Sequence, residues 1–244
     1  MNIVIFTGAG ISAESGIETF RSGSQGLWNN HSVDDIATPE GWQKNAGVVT
    51  DFYNKRRMQL NHVEPNEAHY AIRELEDNFN VTIITQNVDD LHERAGSKNI
   101  LKLRGDLKTV RCEFNPTDKY NWNYNPVDIK LDRTKDGGRL RPDIVWFGEM
   151  PDQNSVVNGG QAIAESDILI IVGTSLQISY THEMLKLAPN EVYYIDPDPK
   201  YYLDEYVGDG YMCPINYVRK PASEGVRLVV DKIMSNESYK EQYQ

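Results

Sequence analysis

The chain has 244 residues, of which 39% are hydrophobic, and this is enough for a sizeable core. Its formal net charge of −11 disfavours nucleic acid as a partner, and no apolar run approaches the roughly 18–20 residues that cross a bilayer. Two cysteines form no disulfide framework, and the start MNIVIFTGAGISAES lacks the basic segment of a signal peptide, so we expect a cytoplasmic protein.

Apolar runs alternate with helical patterns along the chain. Strands are predicted at 3–7, 81–86, 143–147, 168–173 and 192–196, and several are continuously apolar, as in strands covered on both faces. Helices are predicted at 67–77, 155–165 and 222–234. This order predicts an α/β fold with a Rossmann-like, doubly wound parallel sheet.

Two stretches interrupt this alternation. Residues 31–65 mix aromatic and charged residues in a helical pattern, and residues 108–141 are rich in Asn, Asp, Pro, Tyr and Gly. We therefore expect a single domain over 1–244, with a large nucleotide-binding part at about 1–30, 66–107 and 142–244 and a small inserted lobe at 31–65 and 108–141. Ligands of such folds bind at the carboxyl ends of the strands.

The first predicted strand runs directly into Gly8-Ala9-Gly10-Ile11-Ser12. Glycines let the backbone turn sharply and approach a phosphate, and the following helix start offers unpaired N–H groups to an anion. Alone, this turn is a weak signal, because it lacks the third glycine of the dinucleotide fingerprint. A strand–turn–helix unit that binds no ligand explains it equally well.

Four longer segments carry a stronger signal: GAGISAESGIETFR (8–21), TQNVDDLHERAG (85–96), GGRLRPDIVWFGE (137–149) and GTSLQI (173–178). In this order they resemble the sirtuin family over essentially the full chain. The resemblance implies a fold that binds NAD and an NAD-dependent protein-lysine deacylase, of deacetylase or desuccinylase type. Such a transferase or hydrolase moves the acyl group of an acylated lysine onto ADP-ribose and releases nicotinamide.

The resemblance also implies roles for single residues. The pyrophosphate, the riboses and the nicotinamide would be bound by Gly8, Ala9, Gly10, Ser12, Phe20, Arg21, Gln86, Asn87, Asp89, Gly173, Thr174, Ser175 and Asp196. Asn87 and Asp89 belong to the catalytic set as well. Val145, Trp146 and Phe147 resemble the strand to which the acylated peptide adds its own main-chain hydrogen bonds.

Tyr53 and Arg56 stand three residues apart, so on a helix they share one face. Together they offer a hydroxyl and a guanidinium to a carboxylate. The pair resembles that of class III and many bacterial sirtuins, which accept succinyl-like acyl groups. A solvated helix face is the alternative explanation.

The chain departs from the family at its catalytic base. In KLRGDLKTVRC (102–112), Arg104 stands where the family has a histidine. An arginine stays protonated, and a positioned base typically contributes roughly 10²- to 10⁴-fold to the rate, so we expect impaired deacylation unless another group, such as His92, substitutes. Three functions remain open: a weakened deacylase, an NAD glycohydrolase or ADP-ribosyl-transfer enzyme, and a non-catalytic module that binds NAD or ADP-ribose.

The second departure concerns metal. The family's two C-x-x-C pairs are replaced by Cys112 with Asn115 and by Arg133 with Asp136. One thiolate does not make a structural zinc site, which needs four ligands, so we expect no zinc. We expect the alternating aromatic residues Tyr120, Trp122 and Tyr124 to pack the small lobe instead.

Overall fold

The computed structural model describes residues 1–18, 31–199 and 215–236. The α-helices of these residues are α1 Val33–Ile36, α2 Pro39–Gln59, α3 Glu67–Leu75, α4 Leu91–Arg94, α5 Gln153–Ala164, α6 Ser179–Leu185 and α7 Ala222–Ser235. The strands are β1 Asn2–Thr7, β2 Asn80–Thr85, β3 Ile100–Lys102, β4 Gly105–Cys112, β5 Lys119–Asn121, β6 Leu140–Ile144, β7 Ile168–Val172, β8 Glu191–Ile195 and β9 Ile215–Val218. Short 3₁₀ helices lie at Ala9–Ser15 and Leu60–His62.

A six-stranded sheet forms the centre of the larger part, in the order β3-β2-β1-β7-β8-β9. Its strands are all parallel. The doubly wound parallel sheet predicted from the sequence is therefore confirmed, and the four predicted strands within it match to within one residue. The sequence pattern missed β3 and β9, which are only three and four residues long.

Helices cover both faces of this sheet. Along β1, Ile3 and Ile5 pack into a cluster with α3 and α7, whereas Val4 and Phe6 pack into a second cluster with α5 and α6. Successive side chains of a strand point to opposite faces, so burial on both faces requires the continuous apolar run seen in the sequence. The three helices predicted at 67–77, 155–165 and 222–234 are confirmed as α3, α5 and α7.

The strand predicted at 143–147 is wrong in its bounds and in its sheet. The structure has β6 at Leu140–Ile144, in a three-stranded antiparallel sheet of order β5-β4-β6. Residues 145–147 follow it without strand structure. The run is apolar because Trp146 is buried in a third cluster, against Trp42 and Tyr53 of α2, and an apolar run does not show which element covers it.

The antiparallel sheet is the centre of the region expected to form a small lobe. It extends from Gly105, which is paired with Ile144, through the bulge at Asp106/Val110 to Cys112. The sheet therefore reaches three residues beyond each end of the predicted 108–141 segment. Helix α2 contacts β4 and β6 of this sheet, and the third cluster joins residues of α2 with Leu107 and Ile144.

Candidate functional site

The site begins where β1, β2 and β7 end side by side. Thr7 is in register with both Thr85 and Val172. The Thr7 hydroxyl donates to Thr85 Oγ1 at 2.8 Å, which fixes the two strand ends to each other. The glycine turn, Gln86–Asn87 and Gly173–Thr174 follow these three ends. Parallel pairing thus brings together Gly8 and Asn87, which are 79 residues apart in the sequence, and Gln86 and Thr174, which are 88 apart.

The glycine turn packs directly against the backbone after β7. Gly8 N–H donates to Val172 O at 3.0 Å, and Gly10 N–H donates to Gly173 O at 2.8 Å. Gly173 has φ +60°, and a Cβ there would lie 2.5 Å from the nitrogen of Ile11, so only glycine fits. The N–H groups of Gly8 and Gly10 are therefore already bonded to β7 and to the residue after it, and the expectation that the following helix start offers N–H groups to an anion stays a prediction.

Three polar side chains form a buried network beneath the turn. Ser12 donates to the Asp89 carboxylate at 3.0 Å, and Asn87 Nδ2 donates to Ser12 Oγ at 3.2 Å and to Gly8 O at 3.1 Å. Burial raises the pKa of Asp89, although hydrogen bonds from Leu91 N–H and Ser12 and the nearby charge of Lys102 oppose that shift. The sequence-predicted trio Ser12, Asn87 and Asp89 is therefore one hydrogen-bonded unit.

His92 lies behind this network. Its ring is 2% exposed, its Nε2 is 3.2 Å from Thr7 Oγ1, and its centroid is 4.9 Å from that of His69. Burial, followed by the charges of His69 and Lys102, holds the pKa of His92 well below its usual value. His92 is on the wall of neither cavity described below. This geometry gives no support to His92 as the substitute base.

The larger of two adjoining cavities has a volume of about 630 Å³. Its wall includes eight of the predicted cofactor residues: Ala9, Gly10, Gln86, Asn87, Gly173, Thr174, Ser175 and Asp196. Gly8 is on neither wall, and Phe20 and Arg21 lie outside the described residues. The wall also contains Glu14, Asp198 and the first turn of α7 at Pro221–Ala222, which were missed. The helix predicted at 222–234 was the available signal, because its start lies on this wall.

The smaller cavity, of about 100 Å³, lies between the network and the third cluster. Its wall is mostly apolar and includes Phe52, Leu107, Ile144 and Trp146 together with Ser12 and Asp89. The two cavities share the wall residues Ala9, Gln86, Asn87, Arg104 and Phe147. We call this shared wall the junction.

Tyr53 and Arg56 both lie on the wall of the smaller cavity. Tyr53 is only 6% exposed, so a solvated helix face does not explain this residue. Its oxygen accepts a hydrogen bond from Trp146 Nε1 at 2.9 Å, and burial raises its pKa to about 12. The Arg56 guanidinium packs on the Phe52 ring, 3.7 Å from the ring centroid.

Arg104 is held at the junction by the segment after β6. Its Nη2 donates to Val145 O at 3.1 Å, and Val145 N–H donates back to Arg104 O at 3.0 Å. The guanidinium carbon lies 5.1 Å from the centroid of the Phe147 ring. The residue at the predicted base position therefore contacts both cavities, but it is a donor-only group.

The 145–147 segment differs from the expected substrate strand. The N–H groups of Val145, Trp146 and Phe147 donate to Arg104 O, the Glu149 carboxylate and Ala37 O. Trp146 is 1% exposed and belongs to the core, whereas Phe147 is 39% exposed. These three N–H groups are already bonded, so an added peptide strand would find none of them free. Substrate contact through the side chains of Val145, Trp146 and Phe147 stays a prediction.

The positions of the missing metal ligands have other contacts. Cys112 Sγ lies 3.9 Å from Thr134 Oγ1, the Asn115 side chain accepts from Thr117, and Arg133 Nη1 donates to Ile129 O. Within the described ranges there is no cluster of three or more His, Cys, Asp or Glu side chains that could hold a metal ion. The expectation of a zinc-free protein stays a prediction.

Aromatic packing and ion pairs hold the antiparallel sheet. As predicted, Tyr120 and Trp122 pack on a small core of Val110, Val127 and Leu140. Tyr124 does not: it packs in the third cluster and donates to Asp90 at 2.7 Å. Glu113 accepts from the Arg139 guanidinium at 2.6 to 2.9 Å. Glu149 accepts from Arg141 at 2.8 and 2.9 Å, with the Arg141 guanidinium 3.4 Å from the Trp146 ring centroid.

The fold and the strand-end site together define a class of protein. The model of the Sir2 family matches residues 8–180, so the chain belongs to the Sir2 family, as the sequence resemblance predicted. A solved Sir2 homologue, a mutant in complex with ADP-ribose, superimposes with a TM-score of 0.85 at 34% identity and covers 97% of this chain and 93% of that one. A Sir2 homologue in complex with NAD gives 0.82 at 33% identity, covering 96% and 89%.

Curated relatives are similar over most of their length. The NAD-dependent protein deacylase of Helicobacter pylori is 50% identical over 203 residues, which is 82% of this chain and 86% of the relative. That of Bacteroides thetaiotaomicron is 46% identical over 92% of this chain and 94% of its own. No helix among the described residues combines the length and apolarity needed to cross a bilayer.

Proposed function

We propose that this chain is an NAD-dependent protein-lysine deacylase of the Sir2 family, with acyl transfer slowed by Arg104. The carrying observation is the pair of adjoining cavities with Arg104 in their common wall. The larger cavity suits a dinucleotide, and the smaller suits the acyl end of a modified lysine. The relatives named as NAD-dependent protein deacylases support the same reaction.

The residues of the larger cavity fit NAD. The amide nitrogen of Gln86 is buried without a partner among the described residues, while its oxygen accepts from Thr174 at 2.8 Å. A buried donor in this condition costs free energy until a ligand oxygen accepts from it, and a ribose hydroxyl is suited to do so. The absence of side chains at Gly10 and Gly173 lets these two wall segments pack closely against each other, since a Cβ at either would lie 2.5 Å from the other segment.

The chain's own groups then act as follows. Bound NAD supplies a ribose carbon that becomes electrophilic as nicotinamide leaves. Asn87, on the walls of both cavities, and Asp89, on the wall of the smaller one, are hydrogen-bonded to Ser12 and would position the reacting ribose and the carboxamide. Tyr53 and Arg56 recognise the acyl group from the wall of the smaller cavity, where the hydroxyl of Tyr53 and the charge of Arg56 favour a carboxylate such as that of a succinyl group.

Arg104 is the residue that lowers the expected rate of acyl transfer. A base is needed to take a proton from a ribose hydroxyl, and a guanidinium cannot take one. We therefore expect acyl transfer to be slower by roughly 10²- to 10⁴-fold than with a positioned base. Nicotinamide release, which does not depend on that proton, should persist.

The test is incubation of the full chain with NAD alone, with a succinyl-lysine peptide, and with the same peptide carrying unmodified lysine. Nicotinamide release only with the acylated peptide supports the proposal. Equal release of nicotinamide in all three samples would instead identify an NAD glycohydrolase. The observation that favours this alternative is Arg104, a residue at the junction that donates hydrogen bonds but cannot act as a base. Absence of release, with NAD binding seen by calorimetry, would identify a binding module.

We extend the proposal to the cellular setting. The acidic net charge and the two cysteines support a cytoplasmic protein that uses neither nucleic acid nor membrane as a partner. The contacts at Cys112, Asn115 and Arg133 support an antiparallel sheet that is stable without zinc. We propose that this sheet, with α1 and α2, is the small lobe of a single Sir2 domain.

A further inference from the structure

The charge of Arg104 is not balanced by any carboxylate within 4 Å among the described residues. Three other arginines of this region are paired with carboxylates: Arg111 and Arg141 with Glu149, and Arg139 with Glu113. Arg57 also has no such partner, but it is sealed in the core, lies on neither cavity wall, and donates to Leu107 O and Asn54. Arg104 therefore differs in presenting an uncompensated guanidinium to two cavities.

Three of the five carboxylates on the cavity walls have other hydrogen-bond partners, and the charge of a fourth, Glu18, acts on Arg56. Both oxygens of Glu14 accept from Ser223 at the start of α7, Asp196 accepts from Asp198 N–H, and Asp89 accepts from Ser12 and Leu91 N–H. Other groups near Arg104 are donors. Gln86 Nε2 and Tyr180 Oη are buried without partners among the described residues, and the Tyr180 hydroxyl lies within range of the charge of Arg104.

The guanidinium is also fixed in place. The two hydrogen bonds that join Arg104 to Val145 use one N–H of the side chain, and the Phe147 ring lies beside it. Since a guanidinium has five N–H donors in a rigid fork, donors remain for a ligand. A charge held in a partly buried position without a counter-ion is stabilised when an anion arrives.

We propose that Arg104 makes the junction a binding site for an oxyanion, a carboxylate or a phosphoryl group, and so determines which acylated lysine or nucleotide product the chain retains. The inference rests on the proposed function for the assignment of the two cavities, but the binding itself needs no turnover. Arg104 acts here as a specificity-determining residue: it replaces a group that accepts protons with one that holds negative oxygens.

The test measures equilibrium binding by calorimetry with the full chain and without NAD. The probes are inorganic phosphate and two peptides of one sequence, one carrying succinyl-lysine and the other acetyl-lysine. Arg104→Gln should raise the Kd of either the succinyl peptide or phosphate by about tenfold or more, which is the usual effect of losing one charge-assisted hydrogen bond. Binding of the acetyl peptide should stay within twofold. A loss of affinity for the succinyl peptide identifies an acyl carboxylate as the group that Arg104 binds. A loss of affinity for phosphate identifies a phosphoryl group instead.

Two further variants keep the result interpretable. Arg104→Lys keeps the charge but not the fork, so it should lose less affinity than Arg104→Gln, and it carries the test if the glutamine variant fails to fold. Arg73→Gln, at an exposed α3 residue paired with Asp77, is the matched control and should change nothing. The proposal is overturned if Arg104→Gln binds all three probes within twofold of the parent. Failure of deacylation with intact Arg104-dependent binding would count against the proposed function only.

Discussion

Arg104→His is the substitution that most directly tests the reasoning about the junction. Histidine restores a side chain whose usual pKa, near 6.5, lets it take a proton at neutral pH. Because a positioned base contributes roughly 10²- to 10⁴-fold, deacylation should rise by about 10²-fold or more. An acetyl-lysine peptide is the appropriate substrate, since it carries no carboxylate for Arg104 to bind.

The same change removes identifiable contacts. Arg104 loses its side-chain bond to Val145 O and its position beside the Phe147 ring. A hydrogen bond from a charged donor contributes about 1.5–3 kcal/mol and an exposed cation–π contact about 0.5–1 kcal/mol. Relief of the uncompensated charge opposes this loss, so we expect the free energy of unfolding to fall by about 1–2 kcal/mol. The affinity for NAD should change little, because Gln86, Asn87 and the glycine turn are untouched.

The pH profile makes the assay specific. A histidine base works only when neutral, so acetyl transfer by Arg104→His should increase as the pH rises through the pKa of the new side chain. The parent has no such group at the junction and should show no rise over that range. Arg104→Gln is the matched control, because it also removes the guanidinium but supplies no base.

A specific outcome would refute this reasoning. If Arg104→His is no faster than Arg104→Gln at any pH from 5.5 to 8.5, while both bind NAD, then the missing base is not what limits the reaction. If Arg104→His instead lowers NAD cleavage in the absence of peptide, the guanidinium serves a reaction of its own by stabilising a developing negative charge.

The remaining predictions concern the turn, the ion pairs and metal. Gly173→Ala should destabilise the protein by more than about 1–3 kcal/mol and abolish NAD binding, since its Cβ would lie 2.5 Å from Ile11 N. The control Gly160→Ala in α5, whose Cβ would lie 3.6 Å from the nearest atom, should fold and bind NAD normally. Equal behaviour of the two variants would contradict the close-packing argument. Burial acts to raise the pKa of Glu149, but bonds from Arg141 and Trp146 N–H outweigh it and lower the pKa, so its contribution to stability is present above the unfolded pKa and is lost as the pH falls through the folded one. In urea titrations, Glu149→Gln should lower the free energy of unfolding by about 1–3 kcal/mol at pH 7 and by much less at pH 3. The control Glu183→Gln, at an exposed residue, should change it little. A loss of stability that is independent of pH would contradict the role of the ion pairs. Elemental analysis should find no stoichiometric zinc, and a chelator should leave Tm unchanged; one zinc per chain would disprove this.

The sequence by itself determined the parallel sheet and the segments that meet at the carboxyl ends of its strands. Strands such as 3–7 and 168–173 are apolar without interruption because helices cover both of their faces, and this requirement is visible in the residues alone. Parallel order then places the segments after these strands at one edge. For that reason the walls of the larger cavity include Gly10, Gln86 and Thr174, as the motifs predicted.

Only the tertiary structure decided which side chains are buried and which polar groups already have partners. An apolar run such as 143–147 does not reveal whether a sheet or a helix covers it, and here α2 buries Trp146. Likewise, a glycine turn does not show whether its N–H groups face a ligand or a neighbouring strand, and Gly8 and Gly10 bond to the end of β7. The sequence also did not show that Arg104 has no carboxylate partner within the described residues. The reason is that charges are balanced by residues that lie far apart along the chain and meet only when it folds.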